Sequence, residues 1–364
     1  MAGSTYGTIF KITTWGESHG KALGVVIDGC PAWLPLDESD IQKYLNRRKP
    51  GTSSITTPRK EDDTVEILSG VFEGKTTGTP IMITIPNQNT KSKDYSATRF
   101  LARPGHADYT ANCKYHGFED YRGGGHFSGR ITAGLVAAGA IAIAALKNKG
   151  IRIGTHISRC AGVSDRPFGD VEADIAALNE MTFAVLDTER AAGMEMKITQ
   201  AAESGDSVGG ILETVVVGMP AGVGEPWFDT VESVLSHILF SIPGIKGVQF
   251  GMGFAMADRY GSEANDNFRM DGEKIVTVTN NNGGINGGIT NGMPLQFSCA
   301  VKPTPSIYKE QDTVNFAKKE NAPLQIAGRH DPAIIHRARV VVDSAVAIAL
   351  CDLLAQRYGT DFLA

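Results

Sequence analysis

Residues 131–150, ITAGLVAAGAIAIAALKNKG, restrict the folds open to this 364-residue chain more than any other stretch. Ala and Leu are strong helix formers, and Gly150 stands where a helix would stop. Apolar residues occupy nearly every face of that helix, whereas a surface helix carries them on one stripe. A helix of this kind has to be enclosed from all sides. The reading is therefore a central helix with other layers packed around it. No apolar run approaches the roughly 18 residues of a membrane span, and the start of the chain lacks the basic, apolar and small-residue order of a secretory leader. A cytoplasmic protein without membrane contact is expected.

A second long helix is predicted within AGRHDPAIIHRARVVVDSAVAIALCDLLAQRYG, where Ala345, Val346, Ala349, Leu350, Leu353 and Leu354 share one side. Strand patterns fall at 8–15, 23–29, 64–72, 81–85, 151–157, 207–220 and 295–301. Amphipathic helices are predicted over 37–48, with Asp37 as its N-cap, and over 228–242. A glycine-rich turn and strand, then an Arg/His/Asp loop, then an Ala-rich helix recurs near 78–147 and 287–357. That is a weak echo of an internal duplication within a single unit.

The formal charge of −5 argues against a general nucleic-acid binder, which normally shows a basic domain. Any polyanion site must then be a local cluster. Cys30, Cys113, Cys160, Cys299 and Cys351 form no CxxC or zinc spacing and read as reduced, mostly packing residues. No HxxxH pair with a third ligand suggests a metal. The stretch from Arg99 to Thr132 concentrates four arginines and three histidines among glycines. Arginine offers fixed forked charge, and glycine lets backbone N–H groups approach a ligand. GESHG at 16–20, RPGHADY at 103–109 and GRHDP at 328–332 each set a histidine or carboxylate beside Gly, Ser or Arg, an inventory suited to proton transfer near an anion. His156 and His237 read as packing or surface residues. GxGxxG and GxxxxGK[ST] are absent, and GESHG, although it spells GxSxG, joins two strand patterns and so lacks the strand-to-helix elbow of that motif. On the residues alone, a flavin-independent phosphatase or lyase and an anion- or RNA-binding protein using the basic stretches 47–60 and 99–130 both stay open.

GESHGKALGVVIDGCP, DYRGGGHFSGRITAGLVAAGAIA and GRHDPAIIHRA resemble the three signatures of the chorismate synthase family. RRKPGTS, RPGHADYT, SIPGIKGVQFG, NNGGINGGITNG and KPTPSI are similar to further motifs of that family, in order, across about residues 7–356. The resemblance implies an α+β fold, a layered β-α-β sandwich with central helices between antiparallel sheets, assembled as a homotetramer. It implies anti-1,4 elimination of phosphate from 5-enolpyruvylshikimate 3-phosphate to give chorismate, the last common step toward aromatic amino acids. Reduced FMN is the implied cofactor. No separate nicotinamide domain is evident, so an external flavin reductase, with NADP entering only as reductant, is the expected source of reduced flavin.

By matching position, Arg48, Arg130 and Arg337 are expected to bind substrate, within a cluster that also holds Arg47, Arg103 and Arg122. His19 is the expected acid for departing phosphate, with Ser18 beside it. His106 is expected to protonate or stabilise reduced flavin near N1. Asp331 is expected to assist loss of the C6 proton to flavin N5. Ser128 is carried as a catalytic and flavin-contacting residue. The remaining flavin positions are His126, Phe127, Pro243, Gly244, Gly287, Lys302, Pro303, Thr304, Pro305, Ser306 and Arg329. His126-Phe127 stand where many members carry Arg-Ser, Gly129 and Ile131 replace the usual Ala and Glu, and Ser54 occupies a position often held by Arg.

Overall fold

The computed structural model describes residues 3–51, 61–88, 98–326 and 330–364. Its two long helices, Thr132–Asn148 and Ile335–Tyr358, pack side by side at the centre. Both are buried around nearly their whole circumference, as residues apolar on every face require. At their closest approach a Cβ on Gly139 would collide with Ser344, so only glycine permits the crossing. The 20-residue stretch Gly129–Asn148 is apolar enough by composition to cross a bilayer, contrary to the reading that no apolar run is that long. Here its neighbours in the core enclose it.

Two five-stranded antiparallel sheets cover the helices, which gives the α+β sandwich expected from the sequence. In the first sheet Lys11–Gly16 pairs with Ala22–Asp28, which pairs with Ile81–Pro86, which pairs with Glu66–Ile67. In the second, Arg152–Cys160 pairs with Gly210–Val217, which pairs with Leu295–Val301, which pairs with Ile245–Phe250. The order is the same in both: the latest strand lies between the second and the third. Each half also places a shorter helix, Glu38–Arg48 or Val231–Ser241, between its second and third of these strands, and each shorter helix packs on a central one. Each half ends in its own central helix, lying on its own sheet.

Alternation drives the first sheet inward. Leu23, Val25, Ile27, Ile81, Ile83 and Ile85 are fully buried while Met82 faces out, and each such side chain contributes about 1.5–3 kcal/mol by leaving water. Asp37 caps its helix as predicted, accepting from the Asp40 N–H at 3.1 Å. The strand expected over 64–72 is instead two short pieces, Glu66–Ile67 and Val71–Phe72, broken where Gly70 turns at φ +81° against Ile81. The strand Ile245–Phe250 is followed by a 3₁₀ turn at Gly253–Asp258.

One carboxylate joins the ends of the fold. Asp352, buried on the second central helix, accepts from the N–H groups of Thr8, Ile9 and Phe10 at 2.7–3.0 Å.

Candidate functional site

The candidate residues collect where the two equivalent connections into the central helices meet. From the first half, residues 98–106 run beside residues 302–316 of the second. The Ala102 N–H donates to the Val314 carbonyl at 3.2 Å, the Phe316 N–H donates to the Phe100 carbonyl at 3.0 Å, and Lys302 Nζ donates to the Gly105 carbonyl at 2.5 Å.

Below this seam lies an arginine network. Arg48 ends the Glu38–Arg48 helix, where a cation is favoured by the helix dipole. Its Nη2 donates to Asp63 at 2.6 Å, and Arg130 Nη1 donates to the other oxygen of Asp63 at 2.6 Å and also to Glu61. Arg130 Nε donates to Asn87 at 2.6 Å, and Asn87 in turn donates to the carbonyls of Glu17 and Gly20, on either side of Ser18-His19. Arg337, on the first turn of the second central helix, donates through Nε to the Arg48 carbonyl at 2.8 Å and through Nη1 to Asp331. One set of hydrogen bonds thus links Arg48, Arg130, Arg337, Asp331 and the turn that carries Ser18 and His19. Arg48 and Arg130 are only 4% and 8% exposed, a degree of burial that arginine tolerates only when paired.

Asp63 answers that need. Burial alone would raise its pKa, but Arg48 and Arg130 outweigh burial and pull it down to about 2. Arg337 falls below its ordinary value because of burial, with Asp331 opposing the fall.

The two candidate histidines flank the triglycine turn. Gly123, Gly124 and Gly125 hold φ values of 60°, 83° and 54°, a run that side chains rarely adopt. A Cβ on Gly123 would strike the His19 ring, and one on Gly124 would lie 3.0 Å from His106 Cε1. The Ser18 N–H donates to the Gly125 carbonyl at 3.1 Å. His106 Nδ1 lies 3.1 Å from Arg103 Nη2 and 3.2 Å from Asp108 Oδ1, while Arg103 and Asp108 form a two-bond pair. Burial would raise the Asp108 pKa, but hydrogen bonds from Arg103 and His106 hold it far below the usual carboxylate range. Nδ1 is therefore committed, and the Cε1–Nε2 edge faces Gly124. A small cavity opens here, lined by Arg99, Arg103, His106, Asp108, Tyr121 and Phe127, among others.

The candidate flavin positions divide. Lys302, Pro305 and Gly105 adjoin one another, and the Lys302 N–H donates to the Gly244 carbonyl at 2.9 Å, which brings Pro243-Gly244 to the same place. Burial, then Lys246, lowers the Lys302 pKa. Ser306 is buried, Pro303 is exposed, and Thr304 Oγ1 is buried without a hydrogen-bond partner among the described residues. Ser128 caps the 3₁₀ turn Gly129–Ile131, its hydroxyl accepting from the Arg130 N–H at 3.3 Å. His126 turns toward the first sheet, with Nδ1 at 2.7 Å from the Gly16 carbonyl and Nε2 at 3.2 Å from Ser4 Oγ. Phe127 is partly exposed and meets the Tyr115 ring edge-on at 6.1 Å. Gly287 belongs to a separate hairpin, Ile285–Asn286 with Ile289–Thr290, packed at Gly288 against Thr230. Arg329 and Ser54 lie outside the described residues.

Asp63, Asn87 and Asp108 complete the site and were not singled out from the sequence. Asp108 had a signal, since it follows His106 by two residues inside RPGHADY. Asp63 had almost none, because its role depends on a buried backbone turn at φ 49°. His156 is a packing residue, as expected, set between two carboxylates. Its ring nitrogens lie 2.7 Å from Asp165 and 2.8 Å from Glu213, and these bonds outweigh burial, which opposes the charge, to raise its pKa. His237 is exposed and meets the Tyr6 ring edge-on.

These residues can be set beside known proteins. A family model described as chorismate synthase matches residues 10–355. The chorismate synthase of Lachnoclostridium phytofermentans is 51% identical over 97% of this chain and 95% of its own length. That of Methanosarcina mazei is 47% identical over 97% and 96%. A solved structure titled "Crystal Structure of Chorismate Synthase" superposes with a TM-score of 0.76 at 29% identity, covering 97% of this chain and 94% of its own. Matches of this extent, on a chain whose signature residues converge on one seam, place it in the chorismate synthase family.

Proposed function

We propose that this chain eliminates phosphate from 5-enolpyruvylshikimate 3-phosphate in the anti-1,4 sense, giving chorismate and inorganic phosphate, with reduced FMN bound beside the substrate. The observation that carries the reading is the single network joining Arg48, Arg130 and Arg337 to the Ser18-His19 turn and to Asp331. The substrate bears two carboxylates and a phosphate, and gathering such charges beside an anionic cofactor is costly unless fixed cations face them. Three arginines on separate elements, preset by hydrogen bonds, meet that need.

Within this frame, His19 donates a proton to the leaving phosphate and Ser18 hydrogen-bonds beside it. Asp331, held by Arg337, assists removal of the C6 proton. Arg103 and Asp108 fix His106 through Nδ1, so Nε2 is the atom left to exchange a proton near the cofactor. The residues present fit FMN: Lys302 offers a cation, Thr304 offers a buried hydroxyl without a partner among the described residues, and glycines 105 and 244 allow close approach. Ser128, Pro243, Pro303, Pro305 and Ser306 complete this reading of the flavin site, with His126, Phe127, Gly287 and Arg329 as its outlying members. When bound, reduced FMN supplies electron density to the electron-poor transition state. An external flavin reductase provides it in reduced form.

The shared strand order of the two halves supports an internal duplication within one catalytic unit. A homotetramer is supported by the Phe268–Asp271 and Lys274–Thr277 hairpin, which exposes Phe268, Met270 and Ile275. A two-stranded ribbon is marginal alone, and clustered apolar exposure marks an interface. We assign the protein to the cytoplasm.

Anaerobic incubation with 5-enolpyruvylshikimate 3-phosphate, with and without reduced FMN, tests the reading. Chorismate and phosphate should form in equal amounts only with the flavin. Phosphate release without it would replace the proposal with a flavin-independent hydrolase or lyase.

A further inference from the structure

The chain neighbours of two substrate arginines, Arg48 and Arg337, are gripped by a segment with no part in the chemistry above. Asn179 follows the helix Val171–Leu178, and its Nδ2 anchors it to the second sheet by donating to the Ile153 carbonyl at 3.1 Å. Its two acceptors then face arginines. Oδ1 accepts from Arg339 Nη2 at 3.0 Å, and the backbone carbonyl accepts from Arg47. Two residues on, the Met181 carbonyl accepts from Arg339 Nη1 at 3.1 Å. Two further on, the Phe183 ring stacks on the His336 imidazole at 6.3 Å with 28° between planes.

These contacts bracket one pair. His336 and Arg339 lie on either side of Arg337 on the first turns of the second central helix. Arg47 immediately precedes Arg48, whose carbonyl receives Arg337 Nε. The segment 179–183 therefore holds both the helix that presents Arg337 and the helix end that presents Arg48. An arginine loses much side-chain freedom when ordered, so a site that presets its arginines spares that cost at binding.

We infer that Asn179 is a positioning residue for substrate binding, setting the separation of Arg48 and Arg337 without touching substrate. This rests on the functional reading above. The test compares wild type, Asn179→Leu, Asn179→Asp and Arg47→Gln. Affinity for 5-enolpyruvylshikimate 3-phosphate is read by calorimetry without reduced flavin, and KM and kcat are then read with it. Asn179→Leu and Arg47→Gln should weaken substrate binding roughly tenfold, as expected for a lost hydrogen bond to a charged group, with kcat falling less than about threefold. Asn179→Asp, which keeps the acceptor for Arg339, should recover most of the affinity, while FMN affinity stays unchanged throughout. Wild-type affinity in Asn179→Leu would overturn the positioning role alone. So would an equal loss of substrate affinity, flavin affinity and kcat with no recovery in Asn179→Asp, since that is the mark of a merely structural residue. A wild-type protein that fails to bind the substrate would overturn the functional reading and this role with it.

Discussion

The two halves of the molecule share a strand order and use it differently. In the first half the leading hairpin closes in a short turn, Glu17–Lys21, which presents Ser18 and His19 to the site. In the second, the same place is filled by residues 161–209, with the helices Val171–Leu178 and Thr188–Glu203. The shorter helix of the first half ends in Arg48, and that of the second runs into Pro243-Gly244. Buried charge follows the same division. The Asp63 carboxylate is taken up by two arginines that face the proposed substrate, whereas His156 bridges Glu213 of the second sheet to Asp165, which holds a loop in place. At the leading-hairpin connection the scaffold carries candidate site residues where the turn is short and packing where the equivalent insertion is long, while the connections into both central helices serve the candidate site.

Substitutions can break this contrast. The largest effect is expected at the seam: His106→Ala and Asp331→Asn should each slow anaerobic turnover roughly 10²–10⁴-fold with folding retained. Near wild-type rates would remove them from the chemistry. Asp63→Asn comes next and should affect both stability and binding. Removing one partner of a buried pair costs about 3–5 kcal/mol, and substrate KM should rise with it. The Asp63 pKa is lowered on folding, so its contribution is present above the ordinary value of 3.8 and lost as pH falls through about 2. Acid melting of wild type and variant should converge there.

His156→Gln tests the other half. It should cost about 1–3 kcal/mol of stability and leave kcat unchanged. The His156 pKa is raised on folding, so its contribution is complete below the ordinary 6.5 and disappears as pH rises through the raised value. The melting temperatures of wild type and variant should therefore approach each other at alkaline pH. A fall in kcat with stability untouched would erase the contrast between the halves. The smallest effect is expected at His237, where His237→Gln should alter neither rate nor stability beyond about 0.5 kcal/mol.

Much of the architecture was legible because it depends on local pattern. The Thr132–Asn148 helix announces its burial through alanine on all faces, and Asp37 announces a helix start. The recurrence near 78–147 and 287–357 covers the last strand and the central helix of each half. The site was legible as three short motifs, since glycine and histidine side by side are poor material for a core. What stayed hidden depends on distant partners. Asp63 gains its meaning from Arg48 and Arg130, Asn87 from a hairpin turn 67 to 70 residues earlier, and Asn179 from two helices that no local spacing connects to it. His126 shows the reverse. Its motif position suggests a cofactor ligand, while its ring is turned to the Gly16 carbonyl and Ser4, contacts that only the tertiary fold creates.

The Asp352 carboxylate has a consequence for the order in which the molecule is made. The hairpin bearing His19 leaves the ribosome more than 300 residues before the group that clasps the strand leading into it, at Thr8, Ile9 and Phe10. Chains form from the N-terminus onward, so the oldest part of the site must wait, uncommitted, for the youngest helix. Catalytic competence should then arise late and all at once, and a nascent chain stopped short of Asp352 should carry every signature before that point and yet be silent.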